Sequence, residues 1–313
     1  MVKANPLFRN LMCTNYLYSL LILLFLQSPV SAQSVAKPAE SAVISTIFNL
    51  TYHNQFKSAD SLLTLHQKLL ENNVSYQVAV VNYYWWRLIS GGQTKLYSSL
   101  FDKNIKKAIA LVENNKTALT REQFFGLVSM YAFSARAKLL NYAYFSAQGD
   151  LSDYYATIKK TFDFEKTYSP FYLTSGLYYF FMGYARIKQP LLTPILLLYR
   201  EGDVEKGIKY LVTASQSADP TISTEGNYFL MKIYHDLLHR QVEAAKYCHA
   251  LLLRFPDNLL FNYYHFTITL QQGKTAEAKT ILSNIENIAR TNPQLTNDEK
   301  RYYVELARND LKK

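Results

Sequence analysis

The sequence predicts an all-α protein, an array of antiparallel helix pairs stacked as a right-handed α-solenoid. Three observations carry this expectation. Only 10 glycines and 9 prolines punctuate 313 residues, which favours long helices over many short strands. No stretch shows a strand pattern of alternating apolar and polar residues. The carboxy-terminal third repeats itself, with Ala244 and Ala278 in matching places 34 residues apart. A composition of 49% hydrophobic, 15% aromatic and 19% charged residues suits a folded chain with a large core.

The first 32 residues stand outside that array. Lys3 and Arg9 give a positive start, and no acidic residue precedes position 33. Tyr16 to Leu26 is an apolar run, and Val30-Ser31-Ala32 supplies small residues before Gln33. This order predicts a secretory signal over residues 1–32, leaving residues 33–313 as the helical domain. The apolar run is shorter than the roughly 20 residues a membrane-spanning helix needs. The expected location is periplasmic or secreted, with envelope association included. Cys13 lies on the wrong side of the run for a lipid-modified cysteine. Removing Lys3 and Arg9 lowers the net charge from +10 to +8. The remaining basic residues are dispersed, as at Lys103, Lys106, Lys107, Lys159 and Lys160, which argues against a nucleic-acid partner. Cys248 alone remains in the mature chain, so stability must come from the core rather than from an internal disulfide.

Taken in order, first helices are expected at about 41–52, 75–90, 121–147, 170–188, 225–239 and 259–271. Their partners open at Asn54 to Ala59, at Asn104 to Ala108, at Ser152 after Gly149-Asp150, and in the stretch Gly202 to Leu211. Two more span 242–254 and 275–290. A last amphipathic helix, 297–311, caps the stack and puts Asp298, Glu299, Lys300, Arg301 and Arg308 on a wet outer face. This gives about six pairs plus a cap. Ala244 and Ala278 open their helices with a small side chain, which lets two backbones approach to about 8–10 Å. Gly207 and Ala214 repeat the pattern in a looser copy that begins at Gly202. Gly273 suits a tight turn because it takes positive φ without a Cβ penalty, and Pro256 ends a helix.

The stretch 203–291 resembles the tetratricopeptide repeat family. Tyr228 and Met231 fall near its aromatic and aliphatic places, Ala244 and Ala278 match its small residue, and Pro256 its terminating proline. Lys232 and Arg290 depart from it, standing where a small residue and a proline are usual. Residues 189–200 insert Gln-Pro-Leu-Leu-Thr-Pro-Ile-Leu-Leu-Leu-Tyr-Arg between two helices of a repeat. A similar insertion, followed by Gly-Asp-x-Glu-x-Gly, resembles the inclusion-clearance branch of the family associated with the mitochondrial outer membrane. Leu191, Ile195 and Leu198 could form an apolar lip that touches a membrane or a partner.

The resemblance implies a binding scaffold rather than an enzyme. Tyr83-Tyr84-Trp85-Trp86 goes all round one first helix, and many of the 26 tyrosines and 18 phenylalanines fall on such helices. An aromatic inner face would grip a peptide or protein partner, with Tyr83, Trp86, Arg87, Tyr179 and Tyr228 as contacts. The alternative ligand is a glycan stacked on the same rings. Dense packing of bulky repeats explains the same residues without a ligand.

No catalytic, cofactor or metal residues are expected. His235 and His239 stand four apart in His-Asp-Leu-Leu-His, which would put both rings on one helix face, but Asp236 replaces the glutamate of a zinc protease. Phosphate-binding glycine loops, a Gly-x-Ser-x-Gly elbow and Cys-x-x-Cys are absent from the sequence. Asp163 and Glu165 read as solvated helix-end charges. Asn49, Asn73 and Asn115 fit the glycosylation acceptor pattern, which matters only in a eukaryotic host.

Overall fold

A computed structural model describes residues 38–91, 95–114, 118–140, 152–188 and 196–312. The expected signal, Gly149-Asp150 and most of the 189–200 insertion lie outside these residues.

Helix ends are set by two recurring devices. The first helices α1 (Pro38–Tyr52), α3 (Val74–Ile89), α5 (Arg121–Leu140), α6 (Phe171–Lys188), α8 (Pro220–Lys232) and α10 (Leu259–Gln271) alternate with partners. Those partners are α2 (Phe56–Leu70), α4 (Lys95–Glu113), a short helix over 152–158, α7 (Val204–Ser215), α9 (Gln241–Arg254) and α11 (Thr275–Thr291), and α12 (Asn297–Asp310) follows. Among the described residues six helices start on a side-chain cap: Asn73, Thr120, Asp203, Asp219, Asn258 and Thr296 each accept a backbone N–H of the first turn. Asp219 is followed by Pro220 at the first helical position, so α8 begins five residues before the expected 225.

The second device is a left-handed turn. Asn54, His239 and Gly273 have φ of 53°, 53° and 78°, and Ala59, Ala244 and Ala278 follow five residues later, each 0% exposed. Gln55 N donates to Leu50 O and Lys274 N to Thr269 O, the closing bond of a Schellman turn. At the third turn Arg240 N reaches back one residue further, to Tyr234 O, because α8 runs into a π turn, Ile233–Leu237, that carries an extra residue. Gly202 and Gly207 keep the same five-residue spacing before and inside α7. A Cβ on Gly207 would lie 2.4 Å from Phe180 N, and one on Gly202 only 2.0 Å from Gly183 N. These glycines therefore set the close crossing of α6 and α7 rather than a turn.

Five partner helices pack on their own first helix and on the next one: α2 on α1 and α3, α4 on α3 and α5, α7 on α6 and α8, α9 on α8 and α10, α11 on α10 and α12. First helices also touch one another, α1 with α3 and α3 with α5. The described residues are thus all-helical and form paired layers, and residues 38–313 make one compact unit.

Contacts do not stop at neighbours. Tyr52 OH donates to Glu225 Oε1 at 2.8 Å, and Asn258 Nδ2 donates to Tyr52 O at 2.7 Å. Leu259 N donates to Asn54 Oδ1 at 2.8 Å. Arg87 Nε meets Glu299 Oε1 at 2.5 Å, and Tyr303 OH donates to Ile89 O. The amino-terminal first helices therefore lie against α8, α10 and α12. A simple stack, in which each repeat meets only its neighbours, has no such contacts.

Three local expectations are corrected. Asn104 to Ala108 lies inside α4 rather than opening a helix. The helix expected to open at Ser152 ends at 158 and gives way to turns, with Asp163 at φ 70°. Glu299 is 0% exposed because α12 docks on α3, so it does not belong to a wet face; Asp298, Arg301 and Arg308 do.

Candidate functional site

The five residues expected to grip a partner all lie inside. Trp86 is 1% exposed, and its ring stands 5.2 Å from Tyr52, 5.5 Å from Tyr228 and 5.5 Å from Phe261. Four first helices, α1, α3, α8 and α10, thus meet on one indole. Tyr83 and Arg87 are buried together: Arg87 Nη1 donates to Tyr83 OH at 2.9 Å, and its guanidinium lies 4.9 Å from the Phe56 ring. Burial pushes the Tyr83 hydroxyl above its ordinary range despite the adjacent guanidinium. Tyr179 is packed among Phe162, Tyr178 and Tyr210, with Lys206 Nζ 3.9 Å from its ring centre. Tyr228 is 4% exposed. This corrects the expectation of an open aromatic face. Such a face needs solvent opposite it, and here the chain's own rings and helices take that place. The rings stack on protein, which leaves no ring face at the four aromatic positions for a sugar.

A solvent-open groove does exist on the same set of helices, further along. It has a volume of about 340 Å³ and is lined by His235 from the π turn, Tyr263, Thr267, Leu270 and Gln271 from α10, and Asp310 from α12. Single-turn π segments are enriched at functional sites because the extra residue re-aims side chains. Here it separates the two histidines. His235 lies inside the π turn, 7% exposed, with Nδ1 2.7 Å from Gln241 Oε1 and Nε2 3.2 Å from Thr267 Oγ1. His239 sits in the left-handed turn beyond it, so the two rings do not share a helix face. Among the described residues no group of three metal-ligating side chains converges.

Beside the groove, Lys232 Nζ donates to Asp236 Oδ2 at 2.8 Å and to Tyr264 OH, which in turn donates to Asp236 Oδ2 at 3.1 Å. Burial opposes the Lys232 ammonium, but Tyr228, Tyr264 and Asp236 together outweigh it and hold the group well above its ordinary range. Lys232 thus fills the place where a small residue was expected by burying its stem and pairing its head. On the far side Tyr263 OH donates to Asp310 Oδ2 at 2.7 Å. The groove combines apolar surface around the half-buried Leu270 with carboxylate, hydroxyl, amide and imidazole groups, several of them already hydrogen-bonded to one another, a mixture that suits a peptide segment carrying both apolar and polar side chains.

Other candidates resolve individually. Cys248 is 1% exposed, and burial pushes its thiol up to about 12, which leaves little thiolate at neutral pH. Asp163 is exposed and pairs with Arg200, whereas Glu165 is 4% exposed and therefore not a solvated charge. Asn73 spends its side-chain oxygen capping α3, while Asn49 is exposed on α1. Leu198 is 78% exposed; Leu191, Ile195 and Asn115 lie outside the described residues. The signal that could have located the groove was the His-Asp pair on a first helix next to the left-handed turn. Its meaning depended on a π turn that no periodicity announces.

No family model, no curated protein and no solved structure matches this chain.

Proposed function

We propose that this chain is an exported helical-repeat scaffold of the tetratricopeptide plan, which holds a peptide or protein partner in the groove beside the π turn. The array reads as a solenoid whose amino-terminal pairs have folded back over the aromatic side of the later repeats. Recognition then passes to the stretch of first helices left uncovered. One observation carries this reading: the π turn, α10 and α12 all send side chains into one open groove. Helical repeats bind through such continuous surfaces rather than through reacting groups. The pairing of five partner helices with two flanking helices each and the left-handed turn five residues before Ala59, Ala244 and Ala278 support the repeat plan.

The test places a photo-crosslinking residue at Gln271, in the groove, and separately at the exposed Lys279. A discrete partner captured from position 271 and not from 279 is expected. Equal capture from both, or none from 271, removes the groove. Export is tested on the mature protein, whose first residue should be Gln33.

A further inference from the structure

A second surface, which shares no lining residue with the groove, is built around the end of α6 and the turn that precedes α7. Ile187, Leu197 and Leu198 are 68%, 69% and 78% exposed, the last two consecutive. They belong to one corner: Arg186 Nη2 donates to Leu196 O at 3.2 Å, tying the helix end to the turn. The turn is also firmly seated. Leu196 is buried, Arg200 N donates to Tyr155 OH at 2.9 Å, and the Tyr155 and Tyr199 rings meet edge-on at 4.8 Å. Two leucines pointing into water from a fixed turn cost free energy unless something apolar covers them.

The surroundings say what would. Arg200 Nη1 and Nη2 bind the two oxygens of Asp163 at 3.2 and 3.3 Å, which brings the segment around Phe164 to the same neighbourhood. Phe164 is 47% exposed, with the Arg121 guanidinium 5.7 Å from its ring centre. Lys159, Lys160, Lys166 and Lys188 are exposed, and none has a carboxylate partner among the described residues. The carboxylates of Asp163 and Glu201 are already taken by Arg200 and Arg186. Lys188 follows Ile187 in the chain, and Lys159, Lys160 and Lys166 flank Asp163, the partner of Arg200; apolar tips and lysines on such linked segments complement a surface that is negative outside and hydrocarbon within. No described helix is long and apolar enough to cross a membrane, so the contact would be peripheral.

We propose that this face rests on an anionic lipid surface, with Ile187, Leu197 and Leu198 entering the boundary between headgroups and acyl chains and the lysines meeting phosphates. Residues 189–195, outside the described residues, take no part in the argument. The proposal is independent of the groove, and either can fail alone.

The test is co-sedimentation of the signal-free chain with vesicles of phosphatidylcholine alone or mixed equally with phosphatidylglycerol. Binding to the mixed vesicles only, weakened by salt, is expected. Leu197→Asp with Leu198→Asp should lower the bound fraction by about tenfold or more. Each lysine among Lys159, Lys160, Lys166 and Lys188 changed to Gln should weaken binding by about fivefold. These positions are exposed, so circular dichroism and melting should stay unchanged in every variant. Absence of binding to the mixed vesicles overturns the proposal. So does binding that survives the two aspartates undiminished, because charge alone would then account for it.

Discussion

Two seams hold the molecule together by opposite means. At the α6–α7 seam, partners close in sequence meet through what is missing: Gly207 and Gly202 let two backbones approach to distances no Cβ would allow. At the seam between the amino-terminal helices and α8, α10 and α12, segments far apart in sequence meet through buried polar groups. Arg87 and Glu299 are 6% and 0% exposed in their side chains, and Tyr52, Asn82 and Glu225 form a second buried set. The difference follows from chain entropy. Neighbouring helices meet readily and need only a compatible surface, whereas a long-range seam must also select one register among many apolar alternatives. We take directional bonds to do that selecting, an idea the following variants can break.

The largest effect is expected at the distant seam. Replacing Arg87 by Met or Glu299 by Gln leaves one buried partner uncompensated and should cost about 3–5 kcal/mol, measured by urea unfolding. Glu299→Gln also weakens the capping box, in which Thr296 N donates to Glu299 Oε2 at 2.8 Å. The double change to Met at both positions leaves no uncompensated charge but deletes the capping box, so it should cost clearly less than the sum of the two single changes. A single change that costs under about 1 kcal/mol would mean the pair behaves like a solvated surface bridge.

Next comes the near seam. Gly207→Ala forces apart two backbones and should cost about 1–3 kcal/mol with the fold retained, because α6 and α7 can separate by a fraction of an ångström. A neutral result would show that the crossing is looser than its geometry.

How far these seams could be read in the sequence differs in the same way. Ala244, Ala278 and Gly207 announce close approach by being small at a fixed spacing, so the helix pairs were legible, and α10 begins and ends where expected. Asn54 and His239 hid two of the three left-handed turns because neither is glycine, although asparagine tolerates that conformation. Nothing local marks Arg87 as the partner of Glu299. Two charged residues on two helix surfaces look solvated until the chain closes, and for the same reason Trp86 and Tyr228 could be read either as an open face or as dense packing. The groove was illegible because its shape depends on one extra residue in the π turn.

The buried carboxyl of Glu225 gives a pH-dependent view of the long seam. Burial raises its folded pKa above the ordinary 4.5, although Arg136 and the hydrogen bonds from Tyr52 and Asn82 oppose the shift. A carboxyl that binds its proton more tightly in the folded state contributes stability below the unfolded pKa. That contribution is lost as pH rises through the folded value. The melting temperature of Glu225→Gln should therefore gain on the parent as pH is raised from 4 towards 8. A constant difference across that range would show that Glu225 is ionised and fully compensated.

The smallest effects test whether the repeat turn is one device used three times. Gly273 takes φ 78° with nothing within 4 Å of an added Cβ, so Gly273→Ala should cost about 1 kcal/mol through backbone conformation alone. His239 takes φ 53° with a side chain already present, and is exposed. Its replacement by Gly relieves the same conformational penalty but loosens the unfolded chain, so the two terms oppose each other. The net change should be stabilising, by a few tenths of a kcal/mol up to about 1. Paired thermal melts of the two variants read both signs at once. If His239→Gly destabilises instead, the imidazole holds the turn by a contact of its own, and the equivalence of the two turns fails at the point where the π turn inserts its extra residue.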